Sequence, residues 1–105
     1  MISCPDCSGV LSLENPGQPH PDYACQVGHR YSTRSLLVAK EKELERTLWS
    51  AAALLDHIQE VYGRMLREEA NLPKNQRAPL KKRMQEARGQ RQVLIDLIEG
   101  THVWT

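Results

Sequence analysis

The sequence predicts a small α+β protein: a short β-hairpin region, then a long antiparallel α-helical hairpin. Three observations carry this expectation. Gly9, Gly17, Gly28, Pro5, Pro16, Pro19 and Pro21 all precede Ser32, a density of turn residues that permits only short strands. Beyond Ser32 apolar residues recur at steps of three and four, the period of a helix with one buried stripe. All three cysteines, Cys4, Cys7 and Cys25, lie on the turn-rich side.

Size makes the cysteines matter. A chain of 105 residues with 5% aromatics and no Phe builds a thin core, so a metal, a disulfide or a partner is expected to supplement it. Three cysteines cannot close a disulfide framework, and no basic-plus-apolar signal segment precedes Cys4, which together predict a reducing, cytoplasmic setting. The longest apolar run, Ala51 to Leu55, falls far short of the ~20 residues that a bilayer demands, and no membrane partner is expected.

In chain order, Val10-Leu11-Ser12-Leu13 and Tyr23-Ala24-Cys25 read as two strands joined by a Pro-rich loop. Ser32 is the predicted N-cap of the first helix, with Ser35 three residues on in place of the usual acid of a capping box. Leu36 and Leu37 open the stripe, and Leu44, Leu48, Ala51, Leu55, Ile58, Tyr62 and Met65 continue it. Pro73 disfavours helical geometry in the residue before it, and "NLPKNQRAP" reads as a loop. Leu80, Met84, Ala87, Leu94 and Ile98 then carry a second helix, with Gly100 as its C-terminal cap. The expected organisation is a region 1–32 and a helical hairpin 33–105, divided into a helix 33–70, a loop 71–78, a helix 79–99 and a tail 100–105.

The opening region carries the chemistry. Cys4-Pro5-Asp6-Cys7 sets two thiols two residues apart, and the Ser8-Gly9 that follows offers a Gly where a tight knuckle needs positive φ. Cys25-Gln26-Val27-Gly28-His29 repeats the idea, with Gly28 at the bend and the imidazole of His29 as fourth ligand. Two knuckles across a hairpin form a zinc ribbon: one structural Zn2+ held by Cys4, Cys7, Cys25 and His29 in a closed tetrahedral cage. His20, between Pro19 and Pro21, is the competing fourth ligand and is expected to be solvated. A thioredoxin-like dithiol is the chemical alternative, but Cys4 has almost no chain before it to form the strand that presents such a motif ahead of a helix. Three buried thiols acting as small hydrophobes would be the bland reading.

At these residues the chain also resembles a known family. "CPDCSGVL", "YACQVGHRYS" and a helix running from "SLL" through "LERTLWSAAALL" are similar to the C-terminal extension of some bacterial chemotaxis methylesterase (CheB-type) homologues, a zinc-ribbon-like segment followed by helices. The likeness covers about residues 2 to 66. It implies a non-catalytic signalling accessory, because the nucleophilic Ser of the methylesterase domain and its triad partners have no counterpart here.

The remaining residues add little chemistry. Trp49 reads as packing, His57 as a solvated flank residue, and His102 and Trp104 as part of a frayed tail. Gly63 and Gly89 would face each other at similar heights if the chain turns near Lys74. From Lys74 to Arg91 seven bases stand against Glu86 alone, whereas Lys40 to Glu69 holds seven acids and five bases. Pairing of the helix rims is the plain explanation, and a nucleic-acid surface on the second helix the alternative; no aromatic is interleaved with the bases. No enzyme activity is expected, since nothing pairs a nucleophile with a base and a Cys3His cage leaves no open coordination position. The expected function is a zinc-binding protein-interaction module. It should be a homodimer through the long helix, because a helix of about 52 Å at 1.5 Å per residue outruns the shorter partner helix of its own chain.

Overall fold

A computed structural model describes residues 1–69 and 71–100 of the chain. It is a small α+β structure: strands β1 (Ile2–Ser3), β2 (Val10–Glu14), β3 (Asp22–Ala24) and β4 (Arg30–Ser32) precede helices α1 (Thr33–Glu68) and α2 (Lys74–Glu99). The chain packs as two compact units, residues 1–44 and a second that begins at Glu45.

In the first unit the strands form one antiparallel sheet in the order β1-β2-β3-β4. The register sets Leu13 opposite Tyr23 and Tyr23 opposite Tyr31, so strand alternation puts Leu11, Leu13, Tyr23 and Tyr31 on one face. The core gathers Cys4, Leu11, Cys25 and Leu36, with Tyr23 and Tyr31 packed against them. β1 and β4 extend the expected two-strand hairpin; each is only two or three residues long, too short for a period-2 pattern to announce it.

The first unit also reaches past residue 32, where the sequence divides. Leu36 is 5% exposed in the sheet's core, and Lys40 Nζ donates to Ser3 Oγ at 2.8 Å. Leu37 and Leu44, both expected on the buried stripe, stay exposed. The start of α1 follows its capping residues: Ser35 N–H donates to Ser32 Oγ at 3.1 Å, and Ser32 N–H donates to Ser35 Oγ at 2.9 Å. A reciprocal capping box thus forms with Ser in the acid's place.

In the second unit α1 and α2 form a helical hairpin. Leu48, Ala51, Leu55, Ile58, Tyr62 and Met65 are half-buried, while among the described residues Ala52, Ala87 and Ile98 are the buried ones. Arg91 Nε meets Asp56 Oδ1 at 2.8 Å and ties the helices together. Ala87, at 0% exposure, occupies the tightest place. Gly89 is exposed with open space where a Cβ would sit, so it does not face Gly63, whose added Cβ would meet the tip of Arg67.

α2 begins at Lys74, five residues before the expected start at 79, and the expected loop 71–78 shrinks accordingly. Pro79 lies inside the helix, where it removes the bond that would otherwise reach the Asn75 carbonyl. A tertiary contact favours the earlier start. Arg77 donates from Nη1 to the Leu66 carbonyl at 2.9 Å and from Nη2 to the Glu69 carbonyl at 2.8 Å, so a helical first turn of α2 satisfies carbonyls at the end of α1. Gly100 caps α2, but at φ −82 and ψ −6 rather than in the left-handed form, with its N–H shared among Asp96, Leu97 and Ile98 carbonyls. His102 and Trp104 lie outside the described residues. Among the described residues no helix is long and apolar enough to cross a membrane.

Candidate metal centre

Two tight turns bring the soft ligands together. The first joins β1 to β2: Ser8 N–H bonds the Cys4 carbonyl at 2.8 Å, and Cys4 N–H bonds the Gly9 carbonyl. The left-handed residue in this knuckle is Ser8 at φ 64, one place before the expected Gly9. Gly9 serves differently, since a Cβ there would lie 3.4 Å from Cys7 Sγ. The second turn joins β3 to β4, with Gly28 N–H on the Cys25 carbonyl at 3.2 Å and Cys25 N–H on the His29 carbonyl at 3.1 Å. Gly28 takes φ 110, where a side chain would be strained.

Cys4, Cys7, Cys25 and His29 present ligand atoms that all lie within 4.8 Å of one another, close enough to hold a metal ion. Cys7 Sγ and Cys25 Sγ are 3.7 Å apart, and His29 Nδ1 stands 3.6 Å from Cys4 Sγ and 3.3 Å from Cys25 Sγ. A tetrahedral ion with metal–sulfur bonds of about 2.3 Å sets sulfur–sulfur edges of roughly 3.8 Å and sulfur–nitrogen edges of roughly 3.5 Å. The donor set and its spacing therefore fit such an ion, with Nδ1 as the ligating nitrogen. His20 is exposed in the loop beside Pro19 and Pro21, where it lines a hollow with Ser32, Thr33 and Arg34.

The environment grades the sulfurs. Cys4 and Cys25 are buried and Cys7 is exposed. Burial works to raise the Cys25 thiol, but the backbone amides of His29 and Gly28, then the Cys7 thiol and the Val27 amide, outweigh it and hold the thiol at about 6 against an ordinary 9.0. The His29 amide is 3.4 Å from that sulfur. At Cys7 the Gly9 amide pulls downward, yet burial and the neighbouring Cys4 and Cys25 prevail and raise the thiol.

One supporting bond has no signal in the sequence. The Tyr31 hydroxyl donates to Asp6 Oδ2, and this bond to a carboxylate, followed by burial, raises the phenol. Asp6 lies inside the first knuckle and Tyr31 on β4, so the bond links the Cys4–Cys7 turn to the strand that follows His29. Only the register of β4 brings residues 25 apart in sequence together here. A two-residue strand does precede Cys4, contrary to expectation, but the strand β2 rather than a helix follows the cysteine pair. A thioredoxin-like presentation of the thiols is thereby lost.

The hairpin offers a different surface. Leu54, His57, Ile58, Val61, Tyr62, Met65 and Arg83 line a shallow groove along α1 and α2, in which Leu54 and Val61 are largely exposed. Trp49, Val93 and Leu97 are about half exposed as well. No family model, no curated protein and no solved structure matches this chain.

Proposed function

We propose that the protein is a non-catalytic zinc-binding assembly module. One structural zinc ion is held by Cys4, Cys7, Cys25 and His29, and the helical hairpin pairs with that of a second copy. The observation that supports the metal reading best is that all four ligand atoms lie within 4.8 Å of one another, with three of their separations, 3.3, 3.6 and 3.7 Å, close to the edges of a zinc tetrahedron, while the second knuckle aims a backbone amide at the Cys25 sulfur. Three thiolates and an imidazole complete the coordination, and zinc there would cross-link the two turns of the sheet.

The assembly reading rests on what the hairpin leaves uncovered. Among its described residues two of the three buried ones are alanines, and Leu54, Val61, Val93 and Leu97 stay more than half exposed. Two helices alone bury too little apolar surface to hold together, so a neighbour of matching pattern is needed. A second copy supplies one, since in a two-fold four-helix arrangement the acid-rich α1 of each chain can meet the base-rich α2 of the other. The resemblance to the chemotaxis methylesterase extension points to a signalling accessory in the cytoplasm. A nucleic-acid role has less support, because Arg77 and Arg91 of the basic run are already engaged with α1.

Two measurements test the reading. Elemental analysis should return about one zinc per chain. Light scattering at micromolar concentration should return about twice the 12.0 kDa chain mass, falling to the chain mass in the Leu54→Asp, Val61→Asp double variant. Both substituted side chains are exposed within the chain, so the variant spares its internal packing. A metal-free preparation with a folded sheet overturns the zinc reading, and a wild-type protein at the single-chain mass overturns the dimer.

A further inference from the structure

The three sulfurs of the metal centre differ in access in a way that a purely structural site does not require. Cys7 is exposed while Cys4 and Cys25 are buried. Cys7 and Cys25 together line a cavity of about 400 Å³ with Gly9, Val10, Gln26 and Val27. A Cβ at Gly9 would stand 3.4 Å from the Cys7 sulfur, about van der Waals contact, so a larger branched side chain there would crowd it. The two sulfurs are 3.7 Å apart, so a disulfide needs a closure of only roughly 1.7 Å, and both belong to turns rather than to strand interiors.

From this geometry we propose that the Cys7–Cys25 pair is a site of oxidation by a small peroxide, with the loss of two of the four metal ligands as its consequence. The inference rests on the reading of the cluster as a zinc site. Cys7, a thiolate while it ligates the metal, attacks one peroxide oxygen, the O–O bond breaks, hydroxide leaves, and a sulfenic acid forms on Cys7. The Cys25 thiolate then displaces hydroxide from that sulfur and forms the S–S bond. The two thiolates give up two electrons, the peroxide accepts them, and two protons turn both hydroxides into water. Cys4 and His29 remain as a two-ligand remnant that cannot complete a tetrahedron.

The experiment uses the full chain, with its zinc content measured first, exposed to hydrogen peroxide in the presence of a chromophoric zinc chelator. The expected result is one zinc ion released for each disulfide formed, with peptide mapping placing the link between Cys7 and Cys25 and a dithiol reductant restoring binding. Gly9→Val keeps all four ligands and crowds the Cys7 sulfur; it should bind zinc at the same stoichiometry and release it several-fold more slowly. Retention of zinc with all thiols unmodified overturns the proposal, as does a link that involves Cys4. A chain that carries no zinc as purified overturns the proposed function instead, and the peptide map still reports whether Cys7 and Cys25 are the pair that joins.

Discussion

The two units of this chain are held by different physics. In the first, side chains from four strands and the first turns of α1 converge on one point, where Cys4, Leu11, Cys25 and Leu36 are buried around the ligand cluster. In the second, the stabilising contacts are spread along two helices, and among the described residues the buried ones, Ala52, Ala87 and Ile98, form no cluster. The first unit is therefore vulnerable at one place, whereas the contacts of the second are spread out and leave Leu54, Val61, Val93 and Leu97 more than half exposed. A small region can reach cooperative stability through a metal or through repetition of a weak interface, and the proposed function assigns one solution to each half.

The largest expected effect is on the first unit alone. Chelation of zinc should unfold residues 1–32, because structural zinc sites of this size contribute on the order of 10 kcal/mol of apparent folding energy at neutral pH. Far-ultraviolet circular dichroism should retain most of its helical signal while the near-ultraviolet signal of Tyr23 and Tyr31 collapses. Simultaneous loss of both signals would show that the two units depend on each other and erase the contrast.

Ligand substitution sharpens the same contrast. His29→Ala should weaken zinc binding by roughly 100-fold or more, since it removes a ligand that sits 3.3 Å from Cys25 Sγ, while His20→Ala should leave the affinity unchanged. A competition titration with a chelator reads both. If the two variants change places, the second knuckle has been misassigned.

Acid acts on the thiols in a graded way. Above pH about 6 Cys25 is already a thiolate, whereas the raised Cys7 thiol still carries a proton that the metal must displace. Zinc affinity should therefore fall as pH falls, and fall more steeply below about 6, where Cys25 also takes up a proton. An affinity that rises on acidification, or stays flat from pH 8 to about 5, would contradict thiolate ligation.

The smallest effects belong to the hairpin. Arg77→Ala removes the guanidinium bonds to the Leu66 and Glu69 carbonyls, the second of which keeps the Leu72 N–H, and should cost about 1 kcal/mol, read as a lower midpoint in urea. Gly89→Ala should act in the opposite direction, stabilising by about 0.5–1 kcal/mol, because the position is helical, exposed and open where the methyl group would go. A loss of stability on Gly89→Ala would mean that a partner helix approaches there.

Much of the candidate site is legible in the amino-acid sequence. Cys-x-x-Cys and Cys-x-x-Gly-His are local patterns, and local spacing suffices to form each knuckle, so Cys4, Cys7, Cys25 and His29 can be named as one set. The helical period predicts a hairpin, and Ser32 with Ser35 marks where α1 begins. What is not legible depends on pairs distant in sequence. Tyr31 and Asp6 meet only through the register of β4, and nothing about either residue type signals the other.

The sequence by itself determined the ligand types, the knuckle spacing, the two helical stripes and the cap of α1, because each is encoded within a few neighbouring residues. Tertiary structure decided which side of the 32/33 division Leu36 joins, which cysteine is exposed, and where α2 starts. Each of these is a competition between alternatives that local propensity leaves close in energy. Leu36 fits either stripe or sheet, and burial against Leu11 and Cys4 settles it. Pro79 disfavours a helix by local geometry, yet α2 runs through it from Lys74, where the guanidinium of Arg77 donates to the Leu66 and Glu69 carbonyls at the end of α1 and just beyond it.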